Sequence, residues 1–142
     1  MKSTETTISE ALIAALESAV GKANLLVADE EKTDYGSDET EDYHFMPGLV
    51  VKPGSASEIS AVMQLANEYK IPVTPRGAGT GLSGGALPVF GGIVLSTERL
   101  NKIIEIDERN LQATVEPGVV NQVFRDAVEA KGLFYPPDPA SR

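Results

Sequence analysis

The stretch Pro75-Arg76-Gly77-Ala78-Gly79-Thr80-Gly81-Leu82-Ser83-Gly84-Gly85-Ala86 decides how this chain is read. Seven of the 13 glycines fall between Gly77 and Gly92. Glycine has no Cβ, enters the left-handed region freely and lets the main chain press against a ligand. In such a run several N–H groups can turn inward as a concavity for an anion, phosphate above all. The plainer reading is a flexible, low-complexity turn. Arg76 and Thr80 inside the glycines, and the apolar runs on either side, argue against it.

Upstream of the loop, Ile71-Pro72-Val73-Thr74 reads as a strand, with Pro72 tolerated at its start. Before it, Ser55-x-x-Glu58 is a capping box, and Ile59, Val62, Met63, Ala66 and Tyr69 form one helical face. Leu49-Val50-Val51-Lys52 is an earlier strand stopped by Pro53-Gly54. Strand, helix, strand predicts a βαβ unit, parallel and right-handed. The loop then leaves the C-terminal end of the second strand, where open α/β sheets place their ligands.

Downstream, Gly92-Ile93-Val94-Leu95-Ser96 reads as a third strand. Residues 102–107 and 111–116 alternate apolar and polar around Asp107-Glu108-Arg109-Asn110, which predicts an antiparallel hairpin with one wet face. Pro117-Gly118 breaks it. Val120, Val123, Phe124, Ala127 and Val128 make a helix stripe ended by Gly132. Leu133-Phe134-Tyr135 leads into the rigid, extended Pro136-Pro137-Asp138-Pro139.

At the other end, Thr7-x-x-Glu10 signals a first helix bearing Ile8, Leu12, Ala15, Leu16 and Ala19, with Gly21 as its C-terminal cap. Leu25-Leu26-Val27 is a short apolar island. Asp29 to Asp42 reads as acidic and irregular, with Tyr35 and Tyr43 as candidates to pin it to the body. His44 is the only histidine and there is no cysteine, so a metal would need carboxylates such as Asp42 around it. A surface histidine is the better expectation.

The 142 residues suffice for one core. No stretch approaches the ~18 apolar residues of a membrane span, and Met1-Lys2-Ser3-Thr4 leads into a polar segment without a secretory apolar region. The absence of cysteine excludes disulfides and thiolate sites and fits a reducing compartment, with cytoplasm as the default. The net charge of −9 is lopsided: residues 1–48 hold 11 Asp/Glu against 3 Lys/Arg, residues 49–142 hold 10 against 9. An acidic leader repels nucleic acid and anionic membrane. The near-neutral remainder leaves room for a phosphate-bearing ligand.

Three phosphate-loop chemistries compete. A Walker A loop needs Lys-Ser/Thr after its last glycine, and Gly85-Ala86 follows Gly84 here. The dinucleotide fingerprint matches as letters, Gly79-x-Gly81-x-x-Gly84, but it must open a helix that receives the pyrophosphate. Gly85, Pro88, Gly91 and Gly92 follow instead, and then a strand. The third chemistry is a loop that clamps pyrophosphate with backbone N–H groups and no helix. In it, Arg76 neutralises part of the charge or buttresses the loop, and Thr80 donates.

Arg76 to Gly85 resembles the pyrophosphate loop of FAD-linked oxidases of the p-cresol methylhydroxylase and vanillyl-alcohol oxidase type. Val50-Val51-Lys52-Pro53, Ile71-Pro72-Val73, Gly92 to Ser96 and Val115-Glu116-Pro117-Gly118-Val119 resemble that domain in register. Tyr135-Pro136-Pro137-Asp138-Pro139 with Ser141 is most similar to the flavin subunit of glycolate oxidase and to D-lactate and D-2-hydroxyacid dehydrogenases.

The resemblance implies an α+β, PCMH-type FAD-binding domain: a small βαβ subdomain with flanking helices, leading into a second, antiparallel-rich subdomain that is incomplete. Residues 1–33 would be a helix and acidic leader, and residues 34–142 the N-terminal portion of the domain. By that likeness Pro75, Arg76, Gly77, Ala78, Gly79, Thr80, Gly81, Gly84 and Gly85 would hold the FAD diphosphate. Pro137, Asp138 and Ser141 would lie near the ribityl chain or flavin. Some relatives attach FAD through a histidine where Thr80 stands, so non-covalent FAD is expected.

The implied activity is hydride transfer from the α-carbon of a small 2-hydroxyacid, such as glycolate or D-lactate. Electrons would pass onward to oxygen, a quinone or other oxidase subunits. No catalytic base is identified and no turnover is expected from this stretch alone, which lacks the substrate-cap domain. The alternatives are an FAD- or nucleotide-binding module without redox activity, a Rossmann-like dinucleotide binder, and an interaction domain whose glycines are only turns. Ending at Arg142 is expected to leave sheet edges unpaired and apolar surface uncovered, favouring aggregation and a poorly cooperative melt.

Overall fold

Two short apolar strands form the centre of the molecule, described by a computed structural model that covers residues 8–40 and 42–137. These are β2 (Leu49–Val51) and β4 (Ile93–Ser96), and every residue of both is buried. Because strand side chains alternate between faces, Leu49, Val51, Ile93 and Leu95 join one core cluster with Leu12, Leu16, Val20, Val62, Ala66 and Ile71. Val50 and Val94, at the alternate positions, are also fully inaccessible. Uninterrupted apolar runs are what a strand covered on both faces requires.

The main sheet has the order β1-β2-β4-β3, with β1 at Leu25–Leu26 and β3 at Val73–Arg76. β4 pairs in parallel with both β2 and β3, while β1 pairs antiparallel with β2. The expected strand–helix–strand unit is therefore present, but its two strands are not neighbours, because β4 is inserted between them. Gly92 makes the insertion possible. Its φ is 72°, its carbonyl accepts the Leu49 N–H, and the next N–H, of Ile93, donates to the Pro72 carbonyl that a Cβ on Gly92 would strike. The apolar pair Leu25-Leu26, read only as an island, forms the outer strand.

Helix α3 (Ala56–Glu68) opens with the expected box: Ser55 Oγ accepts the Glu58 N–H at 3.2 Å, and Glu58 Oε2 accepts the Gly54 N–H at 2.7 Å. Helix α1 (Glu10–Val20) is capped by Ser9, whose side chain accepts the Leu12 N–H; the expected cap, Thr7, lies outside the described residues. Starting at Ser9 puts Glu10 in the first turn, where the helix dipole favours it. Gly21 ends the helix as expected, its N–H donating to Glu17 O. The helix buries Leu12, Leu16 and Val20 in the same core as α3 and the sheet.

The acidic segment is more ordered than its composition predicts. It forms a short helix α2 (Asp29–Lys32) and a tight turn over Thr33–Gly36. Lys32 is buried, with its Nζ donating to Gly48 O at 3.0 Å and paired with Asp29 at 2.9 Å. A local pair and one carbonyl satisfy the charge, so the turn can lie against the body despite its acidity.

The expected second strand begins two residues late, after Pro72, and runs on to Arg76. Its last residue is thereby fixed to the sheet while the glycine loop starts immediately after it. The hairpin is present as β5 (Ile103–Asp107) and β6 (Gln112–Val115), with Asp107 Oδ1 accepting the Arg109 and Asn110 N–H groups in the turn. Gly118 fastens its base: the N–H donates to Leu100 O at 2.7 Å, and a Cβ would meet that carbonyl at 2.8 Å. Helix α4 (Asn121–Glu129) follows. Ile104, Leu111, Val115, Val123 and Phe134 around this hairpin and helix are exposed.

Candidate functional site

Arg76 ends β3, so its guanidinium projects from a rigid strand at the base of the loop. Nη1 donates to Ser37 O at 2.6 Å and Nη2 to Asp34 O at 3.1 Å, and Cζ lies 5.7 Å from the centre of the Tyr35 ring. Among the described residues no carboxylate forms an ion pair with it. Its charge is held by carbonyl dipoles and an aromatic face, with the Asp38 carboxylate acting on it at longer range.

The loop rests on this arrangement at three glycines. Gly79 packs against the guanidinium, with φ 75° and no room for a Cβ, which would come within 2.6 Å of Cζ. Gly81 O accepts the Glu39 N–H at 3.1 Å. Gly84 N–H donates to Thr40 Oγ1 at 2.8 Å, with φ 72° and Leu87 beneath. Thr40 is itself held, its N–H donating to Asp38 Oδ1 at 2.9 Å. Burial of Asp38 pushes its carboxyl up, but the Thr40 backbone and hydroxyl, the Ala86 N–H and the Arg76 charge together hold it below the usual range.

Three of the loop glycines, Gly81 among them, are not dictated by packing. At Gly77 and Gly85 a Cβ would meet nothing within 4 Å, and at Gly81 only Asp38 Oδ2 at 3.9 Å; none has a positive φ. Nothing in the protein requires glycine there. Among the described residues, the N–H groups of Gly77, Ala78, Gly79, Thr80, Leu82, Ser83 and Gly85 have no hydrogen-bond partner in the protein. Bare backbone donors beside a cation, at the carboxyl end of a parallel strand, can bind an anionic group with no steric penalty.

No helix opens after Gly84. A turn at Gly85–Ala86 and another at Val89–Phe90 lead into β4, which removes the dinucleotide-fingerprint reading.

Beside the loop, Tyr35 Oη donates to Glu98 Oε2 at 2.9 Å, Glu98 Oε1 pairs with Lys52 at 2.7 Å, and Lys52 Nζ lies 5.4 Å from the Tyr35 ring. Partial burial raises the Glu98 carboxyl, but Lys52 and Tyr35 outweigh it and hold the group below its ordinary 4.5. Burial raises the Tyr35 hydroxyl above 10.0. Burial lowers Lys52, but Glu98 and Tyr35 hold it above 10.5.

The signs fix a pH window. Glu98 contributes fully above pH 4.5 and loses its contribution as pH falls through its lower folded value. Tyr35 and Lys52 contribute below pH 10.0 and lose theirs as pH rises through their raised values. Urea unfolding of Glu98→Gln should therefore show a shallower loss of stability on the acid side than the parent; parallel acid limbs would refute the assignment.

The other expected residues are spread more widely. Pro75 lies exposed on β3, paired in register with Leu95. Ala78 and Thr80 are exposed loop residues. Pro137 is exposed beside α4, its carbonyl accepting from Arg125 Nη2 at 3.0 Å, and no hydrogen bond among the described residues joins it to the loop. Asp138 and Ser141 lie outside the described residues. His44 Nε2 is 3.2 Å from Thr33 O, and the ring closes over Gly36. Tyr35, Ser37, Glu39 and Thr40 support the loop and were not among the expected site residues. The one hint in the sequence was Tyr35 as a single aromatic in an acidic run.

Residues 47–142 match the FAD binding domain family. The glycolate oxidase subunit GlcD of Bacillus subtilis is 50% identical over 107 residues, 75% of this chain and 23% of that protein. D-lactate dehydrogenase of Anaerostipes hadrus is 42% identical over 125 residues, 87% of this chain and 26% of that protein. The crystal structure of p-cresol methylhydroxylase with substrate bound superposes with a TM-score of 0.78 at 26% identity, covering 89% of this chain and 26% of that one. This chain belongs to the FAD-binding domain family, and its cofactor is FAD. It spans about a quarter of the length of the curated relatives it matches.

The residues present fit that cofactor. A diphosphate calls for clustered N–H donors, a nearby cation and backbone without side chains, and the loop offers all three at Gly77–Gly85 and Arg76. Among the described residues no three His, Asp or Glu side chains converge as a metal site, and no helix is long and apolar enough to cross a membrane.

Proposed function

We propose that this chain supplies the diphosphate-binding part of a flavin-dependent oxidoreductase that oxidises a small 2-hydroxyacid of the glycolate or D-lactate type. One observation carries the reading: unclaimed loop N–H groups coincide with glycines, Gly77 and Gly85, that no packing requires. The relatives named above support the substrate class. Gly77, Ala78, Gly79, Thr80 and Gly85 donate N–H groups to the diphosphate. Arg76 holds the loop and balances charge. Gly84 gives it shape, since its N–H is already committed to Thr40, and Gly81 anchors it through its carbonyl on Glu39.

Pro137, Asp138 and Ser141 are assigned to the ribityl and flavin side on family likeness. Thr80 offers no imidazole for a covalent link, so FAD is held non-covalently. When bound, FAD supplies the acceptor for the substrate hydride, a chemistry that belongs to the cofactor. The groups that bind the hydroxyacid and take its proton lie beyond this chain, so it does not turn over alone. Further oxidase subunits and a cytoplasmic setting complete the proposal; the similar Bacillus subtilis protein is named as a subunit.

The test is an FAD titration followed by flavin fluorescence, then anaerobic mixing of the FAD-loaded full-length gene product with glycolate and with D-lactate. Saturable quenching and bleaching of the flavin by one of the acids are expected. Binding without reduction by any 2-hydroxyacid would leave an FAD-binding module and reject the oxidoreductase. Absence of binding by the folded full-length product would reject the site.

A further inference from the structure

We propose that the acidic segment 34–40 is the positioning clamp of the cofactor loop, with Tyr35 and Thr40 as its positioning residues. The inference rests on the FAD reading and adds to it a role for residues outside the matched region, which begins at residue 47.

The clamp acts through neutral groups. Arg76 is gripped by the carbonyls of Asp34 and Ser37, Gly81 O by the Glu39 N–H, and Gly84 N–H by the Thr40 hydroxyl. These contacts fall at or beside Gly79, Gly81 and Gly84, and the free N–H groups lie between and directly beside them. Holding a loop at alternate points through hydrogen bonds fixes the direction of the donors left over, which is what preorganised anion binding needs.

The clamp is in turn tied to the sheet. The Tyr35 ring has Lys52 Nζ at 5.4 Å and Arg76 Cζ at 5.7 Å from its centre, while its hydroxyl donates to Glu98, just beyond the end of β4. Gly36 has no space for a side chain beneath His44, and its carbonyl accepts the Phe45 N–H at 2.8 Å. The segment is therefore fastened at the two residues that lie between those holding Arg76. Three of the four contacts run through backbone groups and the fourth through the Thr40 hydroxyl, with the Asp38 carboxylate behind it accepting the Thr40 N–H.

The experiment compares Thr40→Val, Thr40→Ser and Tyr35→Phe with the parent chain. The readouts are FAD affinity and, in flavin-free protein, hydrogen exchange of the Gly84 amide. Thr40→Val should weaken FAD by about three- to tenfold, the worth of one hydrogen bond, and speed Gly84 exchange. Thr40→Ser keeps the acceptor and should restore both. Tyr35→Phe keeps the ring and loses the Glu98 bond, with an expected loss of about two- to threefold.

Parent-like binding by Thr40→Val, or a serine variant as weak as the valine one, overturns the proposal. If Thr40→Val does not fold, Tyr35→Phe decides, and parent-like affinity there overturns it. If the parent itself binds no FAD, the functional reading fails separately. Gly84 exchange then decides the clamp alone, and unchanged protection in Thr40→Val rejects it.

Discussion

Gly77→Val is expected to abolish measurable FAD binding at concentrations that saturate the parent, while the flavin-free chain keeps its thermal midpoint. A Cβ at Gly77 meets nothing of the protein within 4 Å and the backbone there has no positive φ, so the folded chain accommodates it. The same atom occupies the space a diphosphate needs against the bare main chain. Overpacking a close contact costs about 1–3 kcal/mol, which is about 5- to 160-fold in dissociation constant, and the second branch of valine adds to that. Gly85→Val should behave alike.

Gly79→Val is the instructive contrast. It meets the Arg76 guanidinium and a φ of 75°, so it should lower stability and binding together. Isothermal titration beside thermal melts separates the two classes. A Gly77→Val chain that binds FAD like the parent would show that the loop is not the diphosphate site.

Arg76→Met should weaken FAD by about 100-fold and also lower stability. The methionine stem keeps much of the packing under Gly79 and removes the charge. Two carbonyls lose their donor, and hydrogen bonds to charged groups are worth about 1.5–3 kcal/mol each. The bond to Asp34 O is exposed and counts for less. A net destabilisation of about 2 kcal/mol follows. Arg76→Lys should recover part of the affinity through charge but little of the stability, since an ammonium does not span both carbonyls as the planar fork does. Urea unfolding and FAD titration of the three chains check this. Equal FAD affinity in Arg76→Met and the parent would remove Arg76 from the site.

Much of this arrangement was legible in the sequence because it depends on local rules. The Ser55-x-x-Glu58 box, the apolar runs at residues 49–51 and 93–96 and the alternating hairpin each act over a few residues, and each is found where read. The glycine run led, through its resemblance, to the FAD-binding family. Local signals left edges loose. α1 is capped at Ser9, and β3 slid past Pro72 to end on Arg76.

By itself, then, the sequence determined that a glycine-rich loop follows a strand, that no helix opens after it, and which family the chain belongs to. Only the tertiary structure decided that β4 lies between β2 and β3, because pairing of strands distant in sequence follows from burial on both faces and not from local pattern. Only it sorted the glycines, since Gly77 and Gly79 look alike as letters and differ in whether a guanidinium occupies the space of a Cβ. Only it brought residues 34–40 to the loop. Their grip on Arg76, Gly81 and Gly84 runs mainly through backbone groups that every residue carries, and such contacts leave almost no trace in the choice of side chains.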